Sequence, residues 1–353
     1  MEANTTVGEE GVPLARRKLL AIDGGGIRGI IPATALVKLE QTTGQLTRDI
    51  FAFVAGTSTG AIIAAGIAAG VPAQRILDLY VTRSPEVLTQ RPWNVPERIV
   101  TGAMYSIQKL HDLIGEEAGA ARDWTLNDAP VDLLITAKRV PDGMPWYFVR
   151  DKPANSQRTG HLRLVDCVTA SAAAPTYFQP WTIVEDPAVL RAHGWDPVGT
   201  LVDGGVGVAG NPVYQAVVEA FYYTGEYRPD ETLVVSLGTG RLAPTERPTW
   251  LWPWLNWIVG ELLASPGEQQ TEIVQRHFPE LPFYRLDPDL KALDPTLTQP
   301  IGLDDVGSVP RLQAYGKQFA DLIDWNAILA GTDTTFRVTP QTTLAPQYER
   351  PQS

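Results

Sequence analysis

Two successive segments of the chain each combine a short apolar run, a glycine-containing turn and a helix-compatible stretch. The first extends from Lys18 to Thr42, and its apolar run ends at three consecutive glycines. The second extends from Phe51 to Ala69, and its run ends in the sequence Gly-Thr-Ser-Thr-Gly. A strand, a turn and a helix, twice in succession, indicate a parallel sheet whose strands are joined by crossover helices. The chain is therefore expected to form an α/β fold, a three-layer α/β/α structure with a mostly parallel central sheet.

Apolar periodicity predicts further elements along the chain. Strands are expected at Lys18–Asp23, Phe51–Ala55, Val131–Lys138, Trp146–Arg150, Thr200–Val202 and Thr232–Leu237. Helices are expected at Ile30–Thr42, Thr59–Ala69, Ala73–Thr82, Ser106–Ala118, Leu164–Ala173, Pro212–Tyr222 and Arg311–Ala330. One domain of residues 18–331 accommodates all of them, between a flexible N-terminal segment (residues 1–17) and a flexible tail (residues 332–353) that is rich in Thr, Pro and Gln.

The composition argues against several classes of partner. A formal net charge of −11 disfavours nucleic acid, whose phosphates are bound by clustered Lys and Arg, and disfavours docking on anionic lipid by charge alone. Residues 1–11 lack the apolar core of a signal peptide. The longest apolar runs, such as Ala61–Ala69, are shorter than the roughly 20 residues that span a bilayer. We expect a cytoplasmic protein, soluble or peripheral to a membrane, with neither a cofactor nor a metal.

Ser58 lies at the centre of the second turn, in the sequence Gly56-Thr57-Ser58-Thr59-Gly60. A G-x-S-x-G sequence between a strand and a helix is typical of a nucleophile elbow, a sharp turn that exposes the serine hydroxyl. The N-terminus of the following helix favours negative charge beside the serine. The pattern predicts that Ser58 is a nucleophile. An ordinary structural turn is the alternative, because Gly, Ser and Thr are common in turns.

The first turn, Asp23-Gly24-Gly25-Gly26-Ile27-Arg28-Gly29, is suited to binding an anion, because its glycines let backbone N–H groups converge ahead of a helix. The spacing Gly24-x-Gly26-x-x-Gly29 also matches a dinucleotide fingerprint, so a dinucleotide-binding protein is an alternative. Against that alternative, the second strand does not end in an acidic residue for a ribose, and Arg28 crowds the pyrophosphate position. The same N–H groups would equally stabilise the oxyanion of an acyl transfer.

A serine nucleophile needs a base. In the order Ser, acid, His of ordinary hydrolases, His277 is the only one of four histidines that follows both Ser58 and Asp203. A Ser-Asp-His esterase using His277 is thus an alternative, although His277 lies where a helix is expected to end, and histidine often caps helices there. Asp203 is the better candidate for the base, because it ends a short apolar strand and precedes two glycines.

Five segments, in order, carry a resemblance to a known family. They are Asp23–Gly29, Gly56–Gly60, the small-residue run Ala170–Phe178, Asp203-Gly204-Gly205, and Ser236–Gly240. The chain resembles the patatin-like phospholipases over roughly Lys18 to Arg241. We expect the small-residue run Ala170–Pro175 to form a helix that packs closely beneath the site, and Ser236–Gly240 to form a strand end and turn near it, without catalytic roles.

The resemblance implies a lipid acyl hydrolase of the phospholipase A, lysophospholipase or esterase type, with a Ser-Asp dyad and no catalytic histidine. Ser58 would attack the ester carbonyl and form an acyl-enzyme that water hydrolyses, and Asp203 would take the serine proton. An aspartate with an ordinary pKa near 3.9 is a poor base at neutral pH. We therefore expect burial to raise the pKa of Asp203, or the site to position it tightly.

The resemblance also assigns the first turn. The backbone amides of Gly24, Gly25 and Gly26, together with that of Thr59, would form the oxyanion hole. Arg28 would support this loop, meet a substrate phosphate, or make a structural salt bridge.

A tryptophan-rich stretch, Pro248–Leu263, follows the region of resemblance. It contains Trp250, Trp252, Trp254 and Trp257, and it is too short to span a membrane. Tryptophan favours the membrane interface, where its ring and its N–H are both satisfied. We expect either peripheral contact with lipid through these side chains, or a core helix or contact between copies of the chain.

Overall fold

The computed structural model describes residues 17–88, 103–207, 209–242 and 267–339. Within these residues, eight strands form one sheet in the order β5-β6-β3-β2-β1-β7-β8, with β4 also paired to β3. The strands are β1 (Arg17–Ile22), β2 (Phe53–Gly56), β3 (Asp132–Arg139), β4 (Pro145–Val149), β5 (Trp181–Ile183), β6 (Gly199–Asp203), β7 (Thr232–Leu237) and β8 (Phe283–Leu286). β1, β2, β3, β7 and β8 are parallel to one another, whereas β4 and β6 run antiparallel to β3.

Helices cover both faces of this sheet. The described α-helices are Ile30–Thr43, Thr47–Ile50, Thr59–Ala69, Ala73–Asp78, Ser84–Leu88, Ile107–Glu117, Leu164–Ser171, Pro187–His193, Val213–Val218, 267–277, Leu290–Leu293, Val309–Asp321 and Trp325–Ala330. Two short π-helical stretches, Leu79–Arg83 and Glu219–Tyr223, continue the helices before them.

Alternation along β1 shows how the layers are held. Leu20 and Ile22 point into the larger apolar core, which the Ile30–Thr43 and Thr59–Ala69 helices share. Leu19 and Ala21 point to the opposite face, into a smaller core with the Val213–Val218 helix. A strand buried on both faces must be apolar throughout, which is why this run lacks an alternating pattern. The predicted three-layer fold with a mostly parallel sheet is confirmed.

The sequence pattern missed two strands and misjudged several helix ends. β5 and β8 have three and four residues, too few for a period to be recognised. The helix expected at Arg311–Ala330 is two helices, because Asp324 caps a new helix with a hydrogen bond from the N–H of Ala327.

The expected flexible ends are only partly within the described residues. Within residues 332–339, the carbonyl of Phe336 accepts the N–H of Arg285, and the N–H of Val338 donates to the carbonyl of Phe283, while the flexible tail stays a prediction. Residues 1–16, the last part of the predicted tail, and Trp250, Trp252, Trp254 and Trp257 lie outside the described residues. No helix of the described ranges combines the length and the apolar character needed to cross a bilayer.

Candidate active site

Ser58 occupies a strained turn between β2 and the helix that begins at Thr59. Its φ of 55° and ψ of −119° are unusual for a residue with a side chain, as a nucleophile elbow requires. The turn is tight enough that a Cβ on Gly56 would lie 2.2 Å from the carbonyl oxygen of Gly60. The small residues of the motif are therefore sterically required, and the predicted strand-turn-helix geometry around Ser58 is present.

Asp203 reaches Ser58 because β2 and β6 lie end to end along one edge of β3. β4 occupies the other edge of β3, while Gly56 pairs with Ile135 and Asp203 pairs with Ala137. β2 runs parallel to β3 and β6 runs antiparallel, so their carboxyl ends point toward each other. Ser58 and Asp203 are 145 positions apart in the sequence, and this arrangement of strands brings them to the same edge of β3.

The Asp203 carboxylate is buried and held by a hydrogen bond. The residue is 3% exposed, and the N–H of Gly205 donates to its Oδ1 at 2.7 Å. Burial raises the pKa of Asp203 to about 6, although the nearby Ser58 side chain and the N–H of Gly205 act to lower it. The expected increase in pKa is thus present, and burial is its cause.

The end of the Leu164–Ser171 helix holds both residues in place. The hydroxyl of Ser171 accepts the backbone N–H of Ser58 at 2.9 Å, and the carbonyl of Ala173 accepts the N–H of Asp203 at 3.1 Å. Sequence reasoning placed this small-residue run beneath the site but did not identify these contacts. A serine within a run of alanines was the available signal, because its hydroxyl would need a partner if buried.

Thr136 fills the gap between the ends of β2 and β6. The hydroxyl of Thr57 donates to the carbonyl of Ala209 at 2.6 Å, so its 2.7 Å contact with Thr136 places Thr136 as the donor. A Cβ on Gly204 would lie 2.1 Å from the Thr136 hydroxyl oxygen. The first glycine after Asp203 is therefore needed for packing. Sequence reasoning missed Thr136, since nothing local distinguishes it from other strand threonines.

The glycine loop after β1 (Asp23–Gly29) lies beside Ser58, but one of the four amides predicted to form the oxyanion hole, that of Gly24, is already hydrogen-bonded. The N–H of Gly24 donates to the carbonyl of Gly210 at 2.9 Å, so Gly24 is unsuited to the oxyanion hole. Among the described residues, the N–H groups of Gly25, Gly26 and Thr59 have no acceptor. These three amides remain candidates for the oxyanion hole.

Side chains on the neighbouring loops fix the path of the glycine loop. A Cβ on Gly25 would lie 2.3 Å from Oγ1 of Thr239, and one on Gly26 would lie 2.3 Å from the carbonyl oxygen of Leu303. Gly26 also has a φ of 57°, which favours glycine. The N–H of Ile27 donates to the same Leu303 carbonyl at 2.8 Å. The consecutive glycines thus let the backbone pass between two fixed segments.

Arg28 supports this loop from within the protein. Its Nε donates to the carbonyl of Gly25 and its Nη1 to the carbonyl of Gly240, both at 3.3 Å. Burial lowers the pKa of the guanidinium, and the carboxylates of Asp287 and Asp23 oppose that effect. Of the roles expected for Arg28, these contacts match loop support, while contact with a substrate phosphate stays a prediction.

A second arginine, Arg285 on β8, was not identified from the sequence. Its Nη1 and Nη2 donate to the two carboxylate oxygens of Asp23 at 3.0 and 2.6 Å, and Nη2 also donates to Asp287 at 3.0 Å. Nη1 further donates to the hydroxyl of Ser236 at 2.8 Å. Burial raises the pKa of Asp23 to about 6, and the charge of Arg285 lowers it. This ion cluster anchors the first residue of the glycine loop to β7 and β8.

A cavity of about 330 Å³ opens onto these groups. Ser58, Asp203 and the glycine loop form part of its wall. Most of the remaining wall is apolar. It comes from three helical segments, with Ile62, Leu79 and Ile114 among their side chains, and from the stretch Ala172–Phe178. The polar groups of Ser58 and Asp203 and a largely apolar surface therefore share one cavity.

The histidines do not belong to this site. All four are among the described residues, and none lines the cavity. The ring of His277 packs against Tyr214 at 5.9 Å and against Phe278 at 6.4 Å between centroids. His111 instead contacts Asp166 at 3.2 Å. The geometry therefore does not support a Ser-Asp-His site built on His277.

Comparison with known proteins gives sequence relatives over much of the chain. A cGAMP-activated phospholipase of Escherichia coli is 28% identical over 215 residues, covering 58% of this chain and 56% of that protein. The chain thus matches little more than half the length of that relative. Patatin-like protein 2 of Arabidopsis thaliana is 29% identical over 349 residues, covering 86% of this chain and 82% of that protein.

A solved structure and a family description were also matched. Human GIVD cytosolic phospholipase A2 covers 90% of this chain and 60% of its own, at 13% identity and a TM-score of 0.43, too distant to support an argument. The family described as Patatin-like phospholipase matches residues 20–217, more than half of the chain. The range contains the glycine loop, Ser58 and Asp203. The chain belongs to the patatin-like phospholipase family.

Proposed function

We propose that this protein is a lipid acyl hydrolase that cleaves carboxylic esters through an acyl-serine intermediate on Ser58. The observation that carries the proposal is that Ser58 and the buried carboxylate of Asp203 lie together on the wall of one largely apolar cavity, close enough for the Ser58 side chain to lower the pKa of Asp203. A nucleophile beside a base is the arrangement that covalent acyl transfer needs. Family membership supports the reaction class.

In the proposed mechanism, Asp203 accepts the Ser58 proton as the serine oxygen attacks the ester carbonyl. The N–H groups of Gly25, Gly26 and Thr59 stabilise the oxyanion, and the N-terminus of the Thr59–Ala69 helix adds a favourable field. Collapse of the intermediate expels the alcohol, which takes the proton from Asp203. A water molecule then attacks the acyl-enzyme and gives a proton to Asp203. As the bond between the acyl carbon and the Ser58 oxygen breaks, Asp203 returns that proton to the serine oxygen, and the fatty acid leaves.

The cavity favours lipid esters as the substrate class. Its largely apolar wall would bury an acyl chain, and each buried methylene contributes about 0.8 kcal/mol of binding free energy. Phospholipids, lysophospholipids, galactolipids and simple fatty esters all present such a chain. Membrane contact through Trp250, Trp252, Trp254 and Trp257 stays a prediction.

Covalent labelling tests the nucleophile directly. An alkyl fluorophosphonate should modify the wild-type protein once, and peptide mass spectrometry should place the adduct on Ser58. The wild type should also hydrolyse p-nitrophenyl esters, and His277→Ala should retain that activity because His277 lies away from the cavity. Labelling at another residue, or loss of activity in His277→Ala with the fold intact, would contradict the proposed dyad.

The pKa of Asp203 predicts the pH dependence. With the pKa raised to about 6, the carboxylate is protonated below that pH and cannot accept the Ser58 proton. For a neutral ester, kcat/KM should rise about tenfold per pH unit below the midpoint and level off above it. Steady-state rates between acidic and mildly alkaline pH check this prediction, and a flat profile across that range would argue against Asp203 as the base.

A further inference from the structure

A second apolar cavity, of about 50 Å³, adjoins the one at Ser58. Three side chains, Ile62, Leu79 and Ile114, line both cavities. We propose that these three residues, the acyl partition, set the length of acyl chain that the enzyme accepts. The inference rests on the proposed ester hydrolysis and adds the structural limit on its substrate.

Each member of the acyl partition comes from a different helical segment. Ile62 lies four residues after Ser58, hence on the same face of the helix one turn on, and its N–H donates to the Ser58 carbonyl at 3.2 Å. Leu79 begins the π-helical stretch, and Ile114 lies in the Ile107–Glu117 helix. Ile62 and Leu79 are only partly buried although they pack against the core, because their side chains face the cavities.

The second cavity is apolar within and charged at its outer rim. Ala65, Val168 and Ala118 contribute to its lining. Arg75 and Glu117 also line it and form an ion pair at 3.3 Å, in which the Arg75 side chain is 63% exposed. An acyl chain that extended past the acyl partition would contact further apolar surface and then the charged pair. Carbons beyond that point would add no binding free energy.

The sizes of the cavities set the expected effect. A methylene occupies a volume similar to that of a water molecule, roughly 30 Å³. The larger cavity therefore holds on the order of ten methylenes, and the smaller cavity holds about one or two. Replacing one isoleucine of the acyl partition by alanine removes three carbons, which would free a volume similar to that of the smaller cavity and would join the two cavities. The preferred acyl chain should then be about two to four carbons longer. At about 0.8 kcal/mol per methylene, two further methylenes correspond to about tenfold in relative kcat/KM.

The test is a series of p-nitrophenyl esters from butyrate to palmitate, with kcat/KM measured for each length. Ile62→Ala and Leu79→Ala should each raise the ratio of kcat/KM for longer chains to kcat/KM for shorter chains by about tenfold. Ile62→Phe should lower that ratio. Ala118→Leu, which fills the second cavity from its far side, should cancel the shift when combined with Ile62→Ala. Ile67→Ala is the matched control, because Ile67 lies on the same helix and is buried but lines neither cavity.

The outcomes separate this inference from the proposed function. If the wild type hydrolyses none of the esters, the proposed function fails. If the wild type is active but Ile62→Ala and Leu79→Ala keep its preference, or Ile67→Ala shifts the preference equally, the acyl partition is overturned. A melting temperature for each variant identifies any that do not fold, and Ile62→Phe then remains an independent test because it adds volume instead of removing it.

Discussion

Ser58→Ala and Asp203→Asn are each expected to lower kcat for ester hydrolysis by about 10⁴-fold or more, since removing one member of a catalytic unit costs about this much in serine hydrolases. Ser58→Ala removes the attacking oxygen. Asp203→Asn keeps the shape of the side chain and an acceptor for the N–H of Gly205, but it removes the base. Rates with a p-nitrophenyl ester under saturating conditions measure both losses.

The stability of Asp203→Asn should change in the opposite direction to its activity. The pKa of Asp203 is raised from 3.8 to about 6, so the folded state binds the proton more tightly than the unfolded state does. Native stability therefore falls as pH rises between these two values and stays reduced above them. Asparagine removes that penalty, so at pH 7.5 the variant should melt a few degrees above the wild type.

Two controls match these substitutions. Ser84 lines the same cavity, and Asp304 lines it while accepting a hydrogen bond from Tyr105 at 2.5 Å. Ser84→Ala and Asp304→Asn should retain activity within about tenfold of the wild type, because neither supplies the nucleophile or the base. The proposed mechanism would be contradicted if Ser58→Ala, free of wild-type protein, kept activity near the wild-type level.

Arg285→Met is expected to cause the largest loss of stability, about 3 kcal/mol, as is typical when one partner of a buried ion pair is removed. The side chains of Arg285, Asp23 and Asp287 are each 15% exposed or less, so the two carboxylates would lose the cation to which they are hydrogen-bonded. Methionine fills much of the arginine volume, which limits the contribution of a cavity. Chemical denaturation with an unchanged m-value measures the loss.

The pH dependence of this loss distinguishes charge from packing. Arg285 lowers the pKa of Asp23, so its removal raises that pKa beyond about 6. A raised carboxyl pKa costs stability as pH increases, so the deficit should be larger at pH 8 than at pH 5. A deficit that does not change with pH would assign the effect to packing instead.

Arg83→Met provides the matched surface control. Arg83 pairs with Glu86, Glu116 and Glu117 at 2.9, 3.0 and 2.6 Å, more carboxylates than Arg285 contacts, but Glu86 and Glu116 are more than half exposed and Arg83 itself is 30% exposed. Exposed ion pairs contribute little to stability, so this variant should lose far less than Arg285→Met. Equal losses in the two variants would contradict the importance assigned to burial of the Asp23 cluster.

The predictable part of the site lies in the parallel strands. The glycine loop follows β1 and Ser58 follows β2, and adjacent parallel strands place their carboxyl ends together. That rule brings the loop to Ser58 without any knowledge of long-range contacts. It does not place Asp203, because β6 runs antiparallel to β3 and is brought to Ser58 only by sharing an edge with β2. Asp203 was indicated instead by its local pattern, a strand end followed by two glycines, and by the resemblance to the family.

The sequence could not predict which backbone N–H groups of the glycine loop are already hydrogen-bonded, or which distant charged residues pair with it. The sequence offers three consecutive glycine amides, yet the Gly24 N–H is already bonded to Gly210, a residue that lies far along the chain. Arg285 lies 262 positions after Asp23 and on a strand too short to be recognised. In both cases the outcome depends on which distant segment packs against the loop, and local periodicity contains no information about that.

The sequence by itself determined the layered α/β fold, the strand-turn-helix around Ser58 and the glycine-rich turn after β1, because each depends on neighbours within a few residues. The tertiary structure alone decided the burial that raises the pKa of Asp203, which of the amides beside Ser58 are already hydrogen-bonded, and the cavities on either side of Ile62. These properties arise where segments distant in sequence exclude water or contact one another. A local pattern specifies a conformation, but burial and pairing are fixed only when the whole chain packs.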